Sequence, residues 1–155
     1  DVAFPSGKFN LPDVNARIGL GQLARLEEFN ARRRELVADY FRLFPTEPPC
    51  LLPHPGYPGD EAGHSWNLFA PLLPLERMMM DRQQFRAALE ARGIGTGISY
   101  EAAHLTTLFR RQGHHEGELP NTERIARETV TLPLFPTMTR ADVERVCATV
   151  GEVLR

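Results

Sequence analysis

The apolar positions of this chain fall into one long helical rhythm followed by shorter segments that prolines and glycines keep interrupting. Val14, Ile18, Leu23, Leu26, Phe29, Leu36, Val37, Tyr40, Phe41 and Phe44 recur at roughly helical spacing, and Pro45 ends the run. A helix over 13–44 would be about 45 Å long at 1.5 Å per residue, more than one small domain can cover. The pattern therefore predicts either a break near Gly19–Gly21 or packing of part of the helix on another chain or domain. Six prolines and three glycines between Pro45 and Gly63 predict a connector with one apolar patch at Leu51–Leu52.

Beyond the connector, 64–75 reads as a strand that Pro71 and Pro74 shorten or confine to an edge. Trp66 within it is expected in the core. Asp81 is placed to cap a helix over 82–92 whose stripe is Phe85, Ala88 and Leu89. Gly93 suits the residue that closes this helix, and the alternation Ile94, Thr96, Ile98, Tyr100 predicts a strand over 94–100. Strand, helix, strand within about forty residues is a βαβ-like or split βαβ unit, so the fold class is α/β, as an α+β layer. The segment 105–111 has helical character, 112–119 reads as an exposed loop, and Pro120 opens another helix through Ile125, Ala126 and Val130. After a short apolar strand or extended stretch over 131–136, Thr139 caps a last helix with Asp142 as its capping-box partner and Val143, Val146, Val150, Val153 and Leu154 as its buried face.

Composition narrows the function classes. The chain has 155 residues, 42% hydrophobic and 25% charged, enough for one globular domain with a core. A net charge of −2 gives no general attraction to nucleic acid or anionic membrane. No signal-like or membrane-spanning run is present, which leads to an expected cytoplasmic location. Cys50 and Cys147 are expected to be reduced thiols. The Arg32-Arg33-Arg34 run could suggest a phosphate patch, but Glu27, Glu28 and Glu35 flank it, so a solvated helix face is the better reading. The adjacent His114 and His115 lack the spacing of metal ligands, and no metal is assigned. All basic residues but Lys8 are arginine, so chemistry needing a lysine amine has one candidate in this chain.

The stretch that carries the most chemistry is Gly93 to His104. Its three glycines let the backbone turn sharply, and its far end carries Ser99, Tyr100 and His104, a hydroxyl, a phenol and an imidazole. These three are the candidate substrate-side residues. The alternative is an ordinary helix-to-strand connection whose glycines serve turn geometry alone.

Taken in order, several segments resemble the DegT/DnrJ/EryC1/StrS sugar aminotransferases. They are 7–16, Gln22 to Leu26, Arg32 to Glu35, His64 to Phe69, Leu89 to Gly97, and Leu132-Pro133-Leu134-Phe135-Pro136 before a Thr-capped helix. The resemblance runs over essentially the whole chain. Ala102-Ala103-His104 and Leu119-Pro120-Asn121-Thr122-Glu123 resemble, more narrowly, members that make the aminosugar attached to lipid A.

What the resemblance implies is the C-terminal part of a fold-type-I, pyridoxal-phosphate-dependent aminotransferase. Residues 1–44 would be the loop and long helix leading from a large cofactor-binding domain, and 45–155 the small domain. In the family the Schiff-base lysine lies upstream of the motif around Lys8, so this chain alone is expected to do no transamination. Lys8 stands where the family usually has an asparagine that reaches the partner subunit's cofactor phosphate, and Asn10 where it usually has arginine. Both are therefore candidate cofactor contacts, with Asn10 equally able to serve only as a helix cap. The family loop after the glycine-rich strand commonly carries His-Tyr or His-Phe, where this chain has Ser99-Tyr100. The implied reaction moves an amino group from glutamate to a keto sugar nucleotide, in a homodimer. Two alternatives stand: a cofactor-dependent sugar dehydratase, whose distinguishing position would lie upstream, and a free-standing, non-catalytic dimerisation or binding module.

Overall fold

The computed structural model describes residues 10–54 and 63–154. Six helices are present among them: α1 (Asp13–Leu23), α2 (Leu26–Leu43), α3 (Arg82–Glu90), α4 (Thr107–Arg110), α5 (Pro120–Glu128) and α6 (Arg140–Val153). The first helical run is indeed broken, but at Ala24–Arg25 rather than at Gly19–Gly21. Both glycines lie inside α1 with open space around them, and the backbone turns at Arg25 with φ −108° and ψ 3°. A glycine in a helix costs entropy but does not by itself end it.

The core forms where α2 and α3 pack on α6. From α2 and the residue that follows it come Leu36, Val37, Tyr40 and Phe44, one stripe at helical spacing. From α6 come Val143, Val146, Val150 and Val153, on the face the sequence predicts, joined by Cys147. Each such side chain contributes roughly 1.5–3 kcal/mol on burial. Tyr40 stacks on Phe69 at 4.3 Å between ring centres, and its hydroxyl donates to the Pro133 carbonyl at 2.6 Å. Burial pushes that phenol well above its ordinary titration range, with Cys147 and Asp142 adding to the effect. Trp66 lies in the core, as expected. Its φ of +47° is unusual for a bulky residue, and its N–H donates to its neighbour His64 Nδ1 at 3.0 Å.

The two predicted strands are reduced to single bridged pairs. Leu51 pairs with Leu72, Leu72 with Thr129, Phe69 with Leu132, and Gly97 with Thr131, all antiparallel. Extended segments around residues 51, 69–72, 129–132 and 97 thus lie side by side without a continuous ladder. Pro71 and Pro74 bring no N–H to such a ladder, and glycine weakens the segment after Gly93. The segment 129–132, which overlaps the extended stretch expected over 131–136, therefore sits between the two predicted strands and ties them together.

Both expected caps form, and the Asp81 cap proves to be a full capping box like that of Thr139. The Asp81 carboxylate accepts from the Gln84 N–H while the Gln84 side chain accepts from the Asp81 N–H. Thr139 and Asp142 do the same for α6. The Arg32–Arg34 run departs from its expected solvated face. All three residues are partly buried, and Arg32 donates to the Met138 carbonyl at 2.7 Å as well as pairing with Glu35. Helix α5 ends at Glu128 rather than running through Val130, whose N–H instead donates to the Pro71 carbonyl at 3.1 Å; Ile125 is exposed, whereas Ala126 and Val130 are buried.

Candidate functional site

Phe85 and Leu89 anchor α3 in the core, and the chain leaves that helix through Gly93 at φ +76°. The Ile94 N–H returns to the Leu89 carbonyl at 3.0 Å, closing the helix, and a Cβ at position 93 would lie 2.9 Å from the Arg145 guanidinium. Glycine is needed there for its backbone angle, since the tip of the flexible Arg145 side chain can move aside. Ile94 then buries its side chain, and Gly97 and Thr131 exchange two backbone hydrogen bonds of 2.9 Å. From α3, Arg86 donates to the Thr96 hydroxyl and carbonyl. The segment that carries the candidate residues is thus pinned from the helix on one side and from 129–132 on the other.

The three substrate-side candidates end in three different settings. Ser99 is partly buried, its hydroxyl accepting from the Thr131 hydroxyl at 2.9 Å. Tyr100 is 71% exposed. His104, in a 3₁₀ turn over 103–105, is buried, and its Nε2 lies 3.0 Å from Glu123 Oε1. Tyr100 alone presents its side chain freely to a ligand.

Glu123 is the residue that sequence reasoning missed. It sits in the first turn of α5, where the helix dipole favours a carboxylate, and it is itself buried. Besides His104 it accepts the Gly117 N–H at 2.9 Å and the Leu119 N–H at 3.3 Å. It thereby ties the 111–119 loop, α5 and the His104 turn together. The hydrogen bond from His104, then those from the two backbone N–H groups, hold its carboxyl below the ordinary carboxylate range against the opposing effect of burial. A group shifted this way stabilises the fold above its unfolded-state pKa, and the contribution is lost as pH falls through the lower folded value. The thermal midpoint is therefore expected to fall on acidification below the usual carboxylate range, with Glu123→Gln flattening that slope. An unchanged slope in the variant would remove Glu123 from the acid response.

Beside this pair opens a cleft of about 460 Å³, lined among others by Arg82, Glu101, Leu105, Thr107, Glu123 and Arg127. Arg82 crosses from α3 to donate to the Ala126 carbonyl at the end of α5 and lies 3.8 Å from the Glu101 carboxylate. Among the described residues no group of three or more His, Cys, Asp or Glu is placed to hold a metal ion. The 112–119 loop is largely exposed, with His114 paired to Glu118 at 3.0 Å. Cys50 and Cys147 are free thiols, pushed up by burial to about 11 and about 12.

The candidate cofactor contacts lie at the other end of the chain. Lys8 falls outside the described residues, and Asn10 is exposed. The described residues carry no lysine, and an imine-forming cofactor needs an amine. They do not by themselves fit pyridoxal phosphate, and no step through it is derived from them.

The profile of the DegT/DnrJ/EryC1/StrS aminotransferase family matches residues 3–151. The chain belongs to that family. Among solved members of similar fold, S. venezuelae DesV, captured with a ketimine intermediate, is 31% identical with a TM-score of 0.81, covering 94% of this chain and 37% of that one. The aminotransferase TlmJ from Streptoalloteichus hindustanus is 35% identical with a TM-score of 0.75, over 92% of this chain and 36% of that one. Helicobacter pylori PseC, an aminotransferase of pseudoaminic acid biosynthesis, shares the fold at 19% identity with a TM-score of 0.83, over 99% and 40%. This chain thus spans a little over a third of the first two and shares the corresponding part of the fold-type-I transferase architecture.

Proposed function

We propose that this chain is the C-terminal portion of a pyridoxal-phosphate-dependent aminotransferase that moves an amino group from glutamate to a keto sugar nucleotide. The observation that carries the reading is the family match over 3–151, together with the likeness to DesV at 31% identity. The narrower motifs favour a UDP-4-amino-4-deoxy-L-arabinose/oxoglutarate aminotransferase, a cytoplasmic homodimer serving lipid A modification. In this reading Tyr100 and the loop around it face the sugar nucleotide, and His104 supports that loop from within. Lys8 and Asn10 reach toward the cofactor phosphate, an ammonium acting as a point charge where the family usually has an amide.

Two experiments test it. Mixed with pyridoxal phosphate and reduced with borohydride, the 155-residue chain is expected to show no adduct by intact mass. A stoichiometric adduct at Lys8 would mean that the chain builds a cofactor site of its own. In the complete enzyme, Tyr100→Ala is expected to lower kcat/KM for the sugar nucleotide roughly tenfold, about 1.4 kcal/mol of lost interaction. Unchanged kinetics would move the substrate elsewhere.

A second reading, a self-associating module without catalysis, is favoured by α1. None of its residues is buried, and Val14, Ile18, Leu20 and Leu23 are all more than half exposed. A helix apolar on more than one side is usually covered. Sedimentation that finds only monomer would count against this reading.

A further inference from the structure

We propose that Glu123 is a positioning residue for the substrate-side loop: it fixes His104 as the tautomer protonated at Nε2, leaving Nδ1 as an acceptor. The proposal rests on the reading that the loop from Ser99 to His104 faces the sugar nucleotide.

The argument begins with the donors on the carboxylate. Gly117 and Leu119 aim backbone N–H groups at Glu123, at 2.9 and 3.3 Å, and a backbone N–H can only donate. The Glu123 oxygens are therefore acceptors, and its carboxyl is held below the ordinary range. The third partner, His104 Nε2 at 3.0 Å, must then carry the proton of that contact. In the neutral ring this leaves Nδ1 with a lone pair.

The second observation concerns that nitrogen. His104 Nδ1 is buried and has no hydrogen-bond partner among the described residues. A buried polar atom without a partner is uncommon, and such atoms concentrate where a ligand, ion or functional role completes them. The contact between a histidine nitrogen and a carboxylate that sets the role of the other nitrogen is a general way of orienting an imidazole. The other charged groups that line the cleft beside Glu123 are Arg82 of α3, Glu101 and Glu116 of the loops, and Arg127 of α5.

The test is nitrogen-detected NMR of the histidine rings in the 15N-labelled 155-residue chain near neutral pH, without substrate. Wild type is expected to show His104 with Nε2 protonated and Nδ1 bare. Glu123→Gln, whose amide can also donate, should shift the ring toward a mixed or inverted tautomer, and Glu123→Asp, which keeps a carboxylate, should restore most of the wild-type signature. A ring protonated at Nδ1 in wild type, or ring nitrogens unmoved by Glu123→Gln, overturns the proposal. If neither variant folds, the wild-type tautomer decides by itself. Because this readout uses no substrate, its failure is separate from failure of the substrate-facing reading, which the Tyr100→Ala kinetics decide.

Discussion

Phe69→Ala is expected to lower the unfolding free energy by about 3–5 kcal/mol, the usual range for removing a fully buried aromatic side chain. Phe69 has no exposed surface, and its ring is the centre of an aromatic cluster. Tyr40 stacks on it, Phe41 meets it edge-on at 5.8 Å, and Phe44 lies at 6.0 Å. Tyr40 and Phe41 belong to the last turns of α2 and Phe44 directly follows it, so the single ring ties that helix to the extended segment 69–72. Its backbone carbonyl also accepts the Leu132 N–H at 2.9 Å, in the bridge to the segment beneath the candidate site. Collapse of the neighbouring rings into the void cannot recover this contact without drawing the Tyr40 hydroxyl away from Pro133, which would break a partly buried hydrogen bond. A domain of this size has only about 5–15 kcal/mol in hand, so the loss should be plain in urea unfolding. A cost below about 1 kcal/mol, the level of an average substitution, would show that the cluster is not the structural centre described here.

The periodic elements were legible in the chain, and the reason is local. The stripe Leu36, Val37, Tyr40, Phe44 and the valines of α6 are set by spacing alone, and both capping boxes are made by residues three apart. Gly93 also did what its position implied, with a left-handed backbone closing α3. What spacing could not supply was pairing between distant segments. The alternation over 94–100 is real, yet only Gly97 bridges, to Thr131 of a segment that also pairs with 69–72. The break at Arg25 falls between two good helical sequences with no proline or glycine to mark it.

The candidate site was legible only in part for the same reason. His104 could be singled out as a functional type, but its burial and its partner depend on Glu123, nineteen residues away. A glutamate in a first helical turn carries no sign that it will be buried. Nor does the sequence say that the Arg32–Arg34 run will turn inward, since Arg32 finds its acceptor at Met138 across the fold. The helices were set by near neighbours, whereas the chemistry-bearing contacts are closed by residues that only the fold brings together.

Phe85→Ala, the second large effect, links the core to that chemistry. The cost is again about 3–5 kcal/mol by truncation of a buried aromatic. Helix α3 has only Phe85 and Leu89 fully buried, so losing the first leaves one anchor for a nine-residue helix. A helix this short has little stability of its own and depends on packing. What α3 holds in place is the exit through Gly93 and, by way of Arg86, the Thr96 backbone. Local loosening should therefore appear before global unfolding, at the two amides of the Gly97–Thr131 bridge. In hydrogen exchange these amides are expected to lose protection more than those of the Leu51–Leu72 bridge, which α3 does not support directly. Equal losses at both bridges would mean that α3 stabilises the whole fold without specifically holding the segment that carries Ser99, Tyr100 and His104. A preferential loss would make α3 the element through which a substitution in the core reaches the loop proposed to face the substrate.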